Sequence, residues 1–217
     1  MKKYFILFLF IIFTIIYKIL FGKQFYKNIK LIENPNNFHV LVNKNNKLPA
    51  IYIPDDLEKL PNDVSYDNKF LRKKAAIAFI KLSRDASLLG YKIIAVSTYR
   101  SYEYQKSLFD SYVLEKGLKY ALYCSAKAGH SEHQTGLAVD VMGENLDYNL
   151  FEETKEFIFM KDNAHKYGFI LRYPKFKKHI TGFKYEPWHY RYVGKKLATY
   201  LYENNLTLEE YFKKGTN

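Results

Sequence analysis

The chain has 217 residues, of which 48% are hydrophobic and 18% aromatic, including 21 Tyr and 17 Phe. That suffices for one domain with a sizeable core, falls short of two full domains, and excludes a disordered chain. The formal charge is +12, and the single cysteine, Cys124, excludes an internal disulfide, so the fold is held by its core and by any metal it binds.

The first residues, MKKYFILFLFIIFTIIYKILFGK, set Lys2 and Lys3 before an apolar run from Tyr4 to Phe21 that only Lys18 interrupts. The run lacks an A-x-A-like cleavage site and predicts an uncleaved signal anchor, a transmembrane helix over residues 1–22, with Lys18 snorkelling to the far interface. Lys2 and Lys3 place the N-terminus in the cytoplasm and the rest of the chain outside, although Lys18, Lys23 and Lys27 on the other flank count against that orientation. Secretion after signal cleavage is the alternative. Beyond residue 22 there remain 31 basic and 22 acidic residues, a balance of +9. Outside a cell such a charge draws anionic wall polymers or lipid headgroups rather than nucleic acid, the bland alternative being a solvated lysine-rich surface.

Residues 23–37 read as a juxtamembrane spacer and 38–217 as one domain. LPAIYIPDDL is extended, because each proline biases its predecessor away from helix. Asp67 or Asn68 is placed to cap a helix running to about Leu89, with Phe70, Leu71, Ala75, Ala78, Phe79 and Leu82 near helical spacing and Gly90 past the end. KIIAVS at 92–97 predicts a strand, and Ser101 caps a second helix reaching about Lys116 before Gly117. In GLAVDVM the alternation sends Leu137, Val139 and Val141 to one face and Ala138, Asp140 and Met142 to the other, so Asp140 is a polar intrusion on a buried strand. A helix from about Glu152 to Lys166, strands at FILRY and PWHYRYV, and a final helix opened by a Thr207–Glu210 capping box with a Leu206–Tyr211 staple complete the pattern. Without regular βαβ alternation the class is α+β, with a mostly antiparallel central sheet flanked by helices.

A catalytic zinc needs three protein ligands and an open position. His133 and Asp140 in SEHQTGLAVD offer two of them, with Gly136 letting the chain turn between loop and strand. YEPWHYRY, where Glu186 precedes His189 by three residues, suggests a third.

These segments resemble a known family. SEHQTGLAVD is similar to the Ser-x-His-x-x-Gly-x-Ala-x-Asp signature of the zinc D,D-peptidases that include the VanY-type D-alanyl-D-alanine carboxypeptidases, and EPWHYRYVG to their Glu-x-x-His segment. The likeness continues through LVNKNNKLP, STYRSYEYQ and YGFILRYP and spans roughly residues 40–194. It implies the zinc D,D-peptidase/hedgehog-like fold, one Zn2+ per chain on His133, Asp140 and His189, and Glu186 as catalytic base. Arg100 matches the arginine that stabilises charge on the carbonyl oxygen. Ser131 and Gln105 match positions tied to substrate placement, and Trp188 and Tyr192 are candidates for the pocket wall. The chain departs from the pattern with Thr98 and Phe176 in place of glycines and Ala128 in place of a proline, which bears on loop shape rather than on the reaction. His130 is outside the pattern, and His39, His165 and His179 read as structural or solvated.

The function implied is zinc-dependent removal of the terminal D-Ala from peptidoglycan stem peptides by a membrane-held, outward-facing enzyme. Alternatives are an L,D-carboxypeptidase, a peptidoglycan endopeptidase on the same site, or a non-catalytic zinc-bearing wall-binding module. No serine has a lysine three positions on and no HExxH occurs, which excludes serine D,D-peptidase and thermolysin-type sites. A thiol protease built on Cys124 with His130 or His133, and nucleic-acid binding by a basic Tyr-rich surface, are the remaining rivals.

Overall fold

The computed structural model describes Tyr4, Phe8, residues 25–144 and residues 147–215. Tyr4 and Phe8 are helical, while the rest of the expected anchor over residues 1–22 lies outside the described residues. Among the described residues no helix is long and apolar enough to cross a membrane.

The chain opens with two short strands, β1 (Lys30–Leu31) and β2 (Asn46–Lys47), paired in parallel. An antiparallel pair follows, β3 (Leu57–Lys59) with β4 (Phe70–Arg72). This pair corrects the expected helix start at Asp67 or Asn68. Asn68 takes a φ of +58°, a turn conformation rather than a helix cap, and Phe70–Arg72 is claimed by its hydrogen bonds to Leu57–Lys59. Helix α1 therefore begins at Lys73 and runs to Leu88. Its Ala75, Ala76, Phe79, Leu82 and Ala86 form one buried face, at the spacing an amphipathic helix requires.

The central sheet takes its strands from distant parts of the chain: β5 (Ile94–Ser97), β6 (Ala138–Met142), β7 (Phe169–Leu171) and β8 (His189–Tyr192). Their order is β5-β6-β8-β7 and every neighbouring pair is antiparallel, as the lack of βαβ alternation implied. Opposite residues in an antiparallel pair share a face. Val139 faces Tyr190, and both join Val141, Phe169 and the apolar face of α1 in the main core. On the other side of the same strands Asp140 faces His189 and Ala138 faces Arg191. The sheet thus buries its core on one face and carries its polar side chains on the other.

Between β5 and β6 lie helices α2 (Tyr102–Lys116) and α3 (Leu118–Cys124). The Ser101 side chain accepts from Tyr104 N to cap α2, and Gly117 ends it with φ +81°. The helix expected over 152–166 is cut into three. The side chain of Thr154 accepts from Phe157 N and starts α4 (Lys155–Asn163) afresh, leaving 3-10 turns at Phe151–Glu153 and Ala164–Tyr167. Three helices escape the sequence reading: α3, α5 (Lys178–Thr181) and α6 (Lys195–Glu203), none of which has a side-chain cap. The last helix, α7 (Leu208–Lys214), has both hydrogen bonds of the Thr207–Glu210 capping box.

One glycine fixes how the motif turns. A 3-10 turn at Glu132–Thr135 ends on Gly136 at φ +66°, where an added Cβ would lie 2.9 Å from both Arg72 Cγ and Leu57 Cδ2. Gly136→Ala is expected to destabilise the fold by at least about 1–2 kcal/mol, the cost of a left-handed L-residue before any clash is counted. Denaturant unfolding of the variant against the parent measures it.

Candidate metal centre

Three elements deliver the site. The 3-10 turn brings His133, β6 brings Asp140, and β8 brings His189, and one ligand atom from each lies within 4.8 Å of the others. All three residues are buried. The pairing of Asp140 with His189 follows from sheet register, and Nδ1 of His189 stands 2.9 Å from Asp140 Oδ1. His133 Nε2 is 3.3 Å from Asp140 Oδ2.

The far side of each imidazole is held by a second partner. His133 Nδ1 donates to Thr98 O at 2.7 Å, which leaves Nε2 as the lone pair facing the cluster. His189 Nε2 is 3.5 Å from Glu132 Oε2, leaving Nδ1 for the cluster. Outer partners of this kind set the tautomer and aim of metal-binding histidines. Two imidazole nitrogens and a carboxylate oxygen fit zinc, and the cleft leaves one side open.

Glu132 was missed by the sequence reading because nothing in spacing marks it. Its carboxylate accepts from Arg172 Nε and Arg191 Nη1, both at 2.8 Å, and Arg172 continues to Glu209 through two further 2.8 Å bonds. The Glu132, Arg172 and Arg191 side chains are entirely buried. Arg191 Nη2 also donates to Phe38 O and Val40 O at 3.0 Å, which ties the N-terminal arm to the site.

Arg100 reaches the cluster from the cleft wall. Nη2 donates to Asp140 Oδ2 at 3.0 Å and lies 3.1 Å from His133 Nε2. Its Nη1 donates to Gln105 Oε1 at 3.1 Å, and Gln105 in turn donates to Ser125 Oγ and Ala126 O. Both ends of the Gln105 amide are therefore engaged in holding Arg100 to the cleft wall. Ser131 Oγ accepts from His133 N at 3.3 Å, so its own proton can be donated elsewhere. Trp188 lines the cleft edge-to-face with Tyr148, ring centroids 4.9 Å apart. Tyr192 does not reach the cleft: its ring packs on Phe38 and Phe169. Cys124 also lines the cleft, but burial pushes its thiol up, away from the thiolate a thiol protease requires. His130 binds Asn43 O through Nδ1 at 2.9 Å and takes no part in the cluster.

Electrostatics separate Asp140 from Glu186, two of the carboxyls that line the cleft. Burial opposes ionisation of Asp140, yet His133 and His189 hold it well below the usual range. Burial pushes Glu186 up to about 7 against the attraction of His189, and the charge of Asp140 adds to the rise. Burial, with Arg100 adding, takes His133 down to about 4. Burial opposes charge on His189 as well, but Asp140 and Glu132 outweigh it and raise it to about 9. One carboxyl is thus fixed as an anion, while its neighbour is poised to exchange a proton near neutrality.

A buried two-histidine, one-aspartate centre on the polar face of an antiparallel sheet, with such a glutamate beside it, defines the class of metal-dependent hydrolases. Comparison with known proteins gives the family. The model of VanY, D-alanyl-D-alanine carboxypeptidase, matches residues 68–195, and the chain belongs to that family. It is 45% identical over 204 residues to YodJ of Bacillus subtilis (strain 168), a carboxypeptidase by assignment, covering 88% of this chain and 75% of that protein. The solved structure of the LdcB LD-carboxypeptidase, described for peptidoglycan recognition, superposes with a TM-score of 0.79 at 44% identity, covering 89% of this chain and 93% of that one. A variant of the vancomycin resistance D,D-pentapeptidase VanY in complex with Zn(II) superposes with a TM-score of 0.69 at 35% identity, covering 81% and 98%.

Glu132→Gln is expected to weaken zinc binding roughly 10–100-fold, the usual effect of losing an outer partner of a ligand histidine, measured by competition with a chromophoric chelator. A raised carboxyl pKa means that the folded state holds its proton between about 4.5 and about 7, where the unfolded state releases it. Stability of the metal-free parent therefore falls across that window as pH rises. Glu186→Gln lacks this fall, so its melting-temperature advantage should grow from pH 4.5 to 7 and then level off.

Proposed function

We propose that the chain is a zinc-dependent D-alanyl-D-alanine carboxypeptidase that releases the terminal D-Ala of peptidoglycan stem peptides. The observation that carries this reading is the convergence of His133, Asp140 and His189 beside a buried Glu186 whose carboxyl titrates near 7. One zinc ion per chain, held by His133, Asp140 and His189, would supply Lewis-acid polarisation of the scissile carbonyl and acidify the water beside it. Glu186 takes the proton of that water and returns it to the leaving amine, a double duty that suits a carboxyl with a pKa near neutrality. Arg100, fixed by Ser97, Gln105 and Asp140, presents permanent positive charge towards the carbonyl oxygen as it becomes anionic. The Ser131 hydroxyl donates to the terminal carboxylate of the peptide, and Trp188 and Tyr148 wall the substrate. Gln105 serves the substrate indirectly, through Arg100.

The apolar run at residues 1–22 anchors the enzyme in the cell membrane with its catalytic domain outside, and the lysine-rich surface is weakly attracted to anionic wall polymers. What supports the anchor is the sequence of the run. A structural zinc module has no use for a buried base, which favours the enzyme over a wall-binding domain.

A second reading, L,D-cleavage of a shortened stem, is supported by the 44% identity and 0.79 TM-score with LdcB. Mass spectrometry of products from pentapeptide and tetrapeptide stems separates the two, and loss of D-Ala from the tetrapeptide alone would replace the D,D assignment. Glu186→Gln should lower turnover roughly 10²–10⁴-fold with zinc content unchanged, the span of a lost general base. Chelation should abolish activity of the parent, and added zinc should restore it.

A further inference from the structure

Phe176 is 92% exposed and sits at φ +64°, a backbone region that residues other than glycine seldom adopt. One exposed aromatic means little by itself, and its neighbours decide what it is for. Lys175 pairs with Glu152 on one shoulder of the loop and Lys177 with Glu210 on the other, so the ring is held outwards by the fold. Helix α5 follows directly and ends at Gly182, where an added Cβ would fall 2.6 Å from the ring of Phe25. Phe25 thus packs against the end of the helix that follows the Phe176 loop.

Phe25 lies only four positions past Phe21, the end of the apolar run. The chain is fastened as soon as it reaches the domain. Tyr26 accepts through its hydroxyl from Lys127 N and meets the His130 ring edge-on at 5.0 Å. Lys44 Nζ stands 5.8, 5.5 and 4.7 Å from the rings of Phe25, Tyr26 and Phe183. Around this anchorage Lys27, Lys127 and Lys178 are exposed, Lys127 within 4.8 Å of the Tyr26 ring and Lys178 within 4.2 Å of the Tyr123 ring. Burial, with the charge of Lys178 adding, lowers the Lys44 ammonium to about 8, as expected on a strongly positive face.

We propose that the face formed by Phe176, Lys27, Lys127 and Lys178 lies on the anionic phospholipid headgroups of the membrane, with the Phe176 ring at the interface. This rests on the anchored, outward-facing reading given above. Gly22, Lys23 and Gln24 are the only residues between the apolar run and the docked Phe25, a reach of about 10 Å when extended. That is close to one Debye length, so the lysines feel the surface charge, each contributing attraction that adds to the anchor. An outward aromatic among lysines suits a headgroup layer, whereas a sugar-phosphate polymer offers the ring nothing apolar. Phe183 touches Lys44 and also lines the cleft, so the cleft opens beside this face and takes stems held near the membrane.

The test uses the full chain in nanodiscs of brominated phosphatidylcholine, with and without phosphatidylglycerol. The indole introduced by Phe176→Trp should be quenched in the anionic discs beyond the signal of the parent Trp188. Adding Lys127→Ala or Lys178→Ala should weaken the contact roughly fivefold each, as should added salt, with hydrolysis of soluble pentapeptide unchanged. A chain retained by the discs but showing no extra quenching overturns the face while leaving the anchor intact. A chain that is not retained overturns the anchor and the face together. Lysine-dependent retention on purified anionic wall polymer without quenching in discs would assign the surface to that polymer instead.

Discussion

The register that sets Asp140 opposite His189 governs the rest of the molecule. A slip of one residue between β6 and β8 would turn one strand over relative to the other, sending either Asp140 or His189 into the apolar core and parting the two ligands. The same register that builds the core therefore assembles two of the three ligand atoms. His133 joins from the turn that leads into β6, and its orientation is set by a backbone carbonyl, Thr98 O, at the exit of the neighbouring strand β5. Three parts of the chain thus reach the centre through the hydrogen bonds of one sheet.

Behind the ligands lies a balanced set of buried charges, Glu132 and Glu209 against Arg172 and Arg191. Such a set is weak evidence for net stability, because desolvation consumes most of the Coulombic gain. Its value is geometric. Glu132 can hold its position beside His189 only while two guanidinium groups neutralise it, and those groups are themselves fixed by β8, by Glu209 and by the carbonyls of the N-terminal arm. Aim at the metal is therefore set by contacts that span the domain, which is how a rigid centre is obtained without a disulfide.

Much of this arrangement was legible in the sequence. Alternation in GLAVDVM already placed Asp140 on the face opposite Leu137, Val139 and Val141, and the capping signals of Ser101 and Thr207 located two helix starts. The helix start at Asp67 or Asn68 misled because Phe70 and Leu71 satisfy a helical period equally well, and the competing strand partner, Leu57–Lys59, is visible only in three dimensions. Helices α5 and α6 gave no capping signal to read. Glu132 was silent for another reason: a buried acid is betrayed by its partners, and Arg172 and Arg191 lie 40 and 59 positions away. Tyr192 shares a strand with His189 but, three residues on, belongs to the opposite face, so its packing into the core follows from parity.

The contact between Arg172 and Glu209 makes α7 part of the support of the metal centre although it supplies no ligand. Without Glu209, two buried guanidinium groups would face the single carboxylate of Glu132, the neighbour that holds the His189 imidazole. A substitution at Glu209 is thus felt at the hydrolytic centre remotely, as a loss of aim rather than of a ligand.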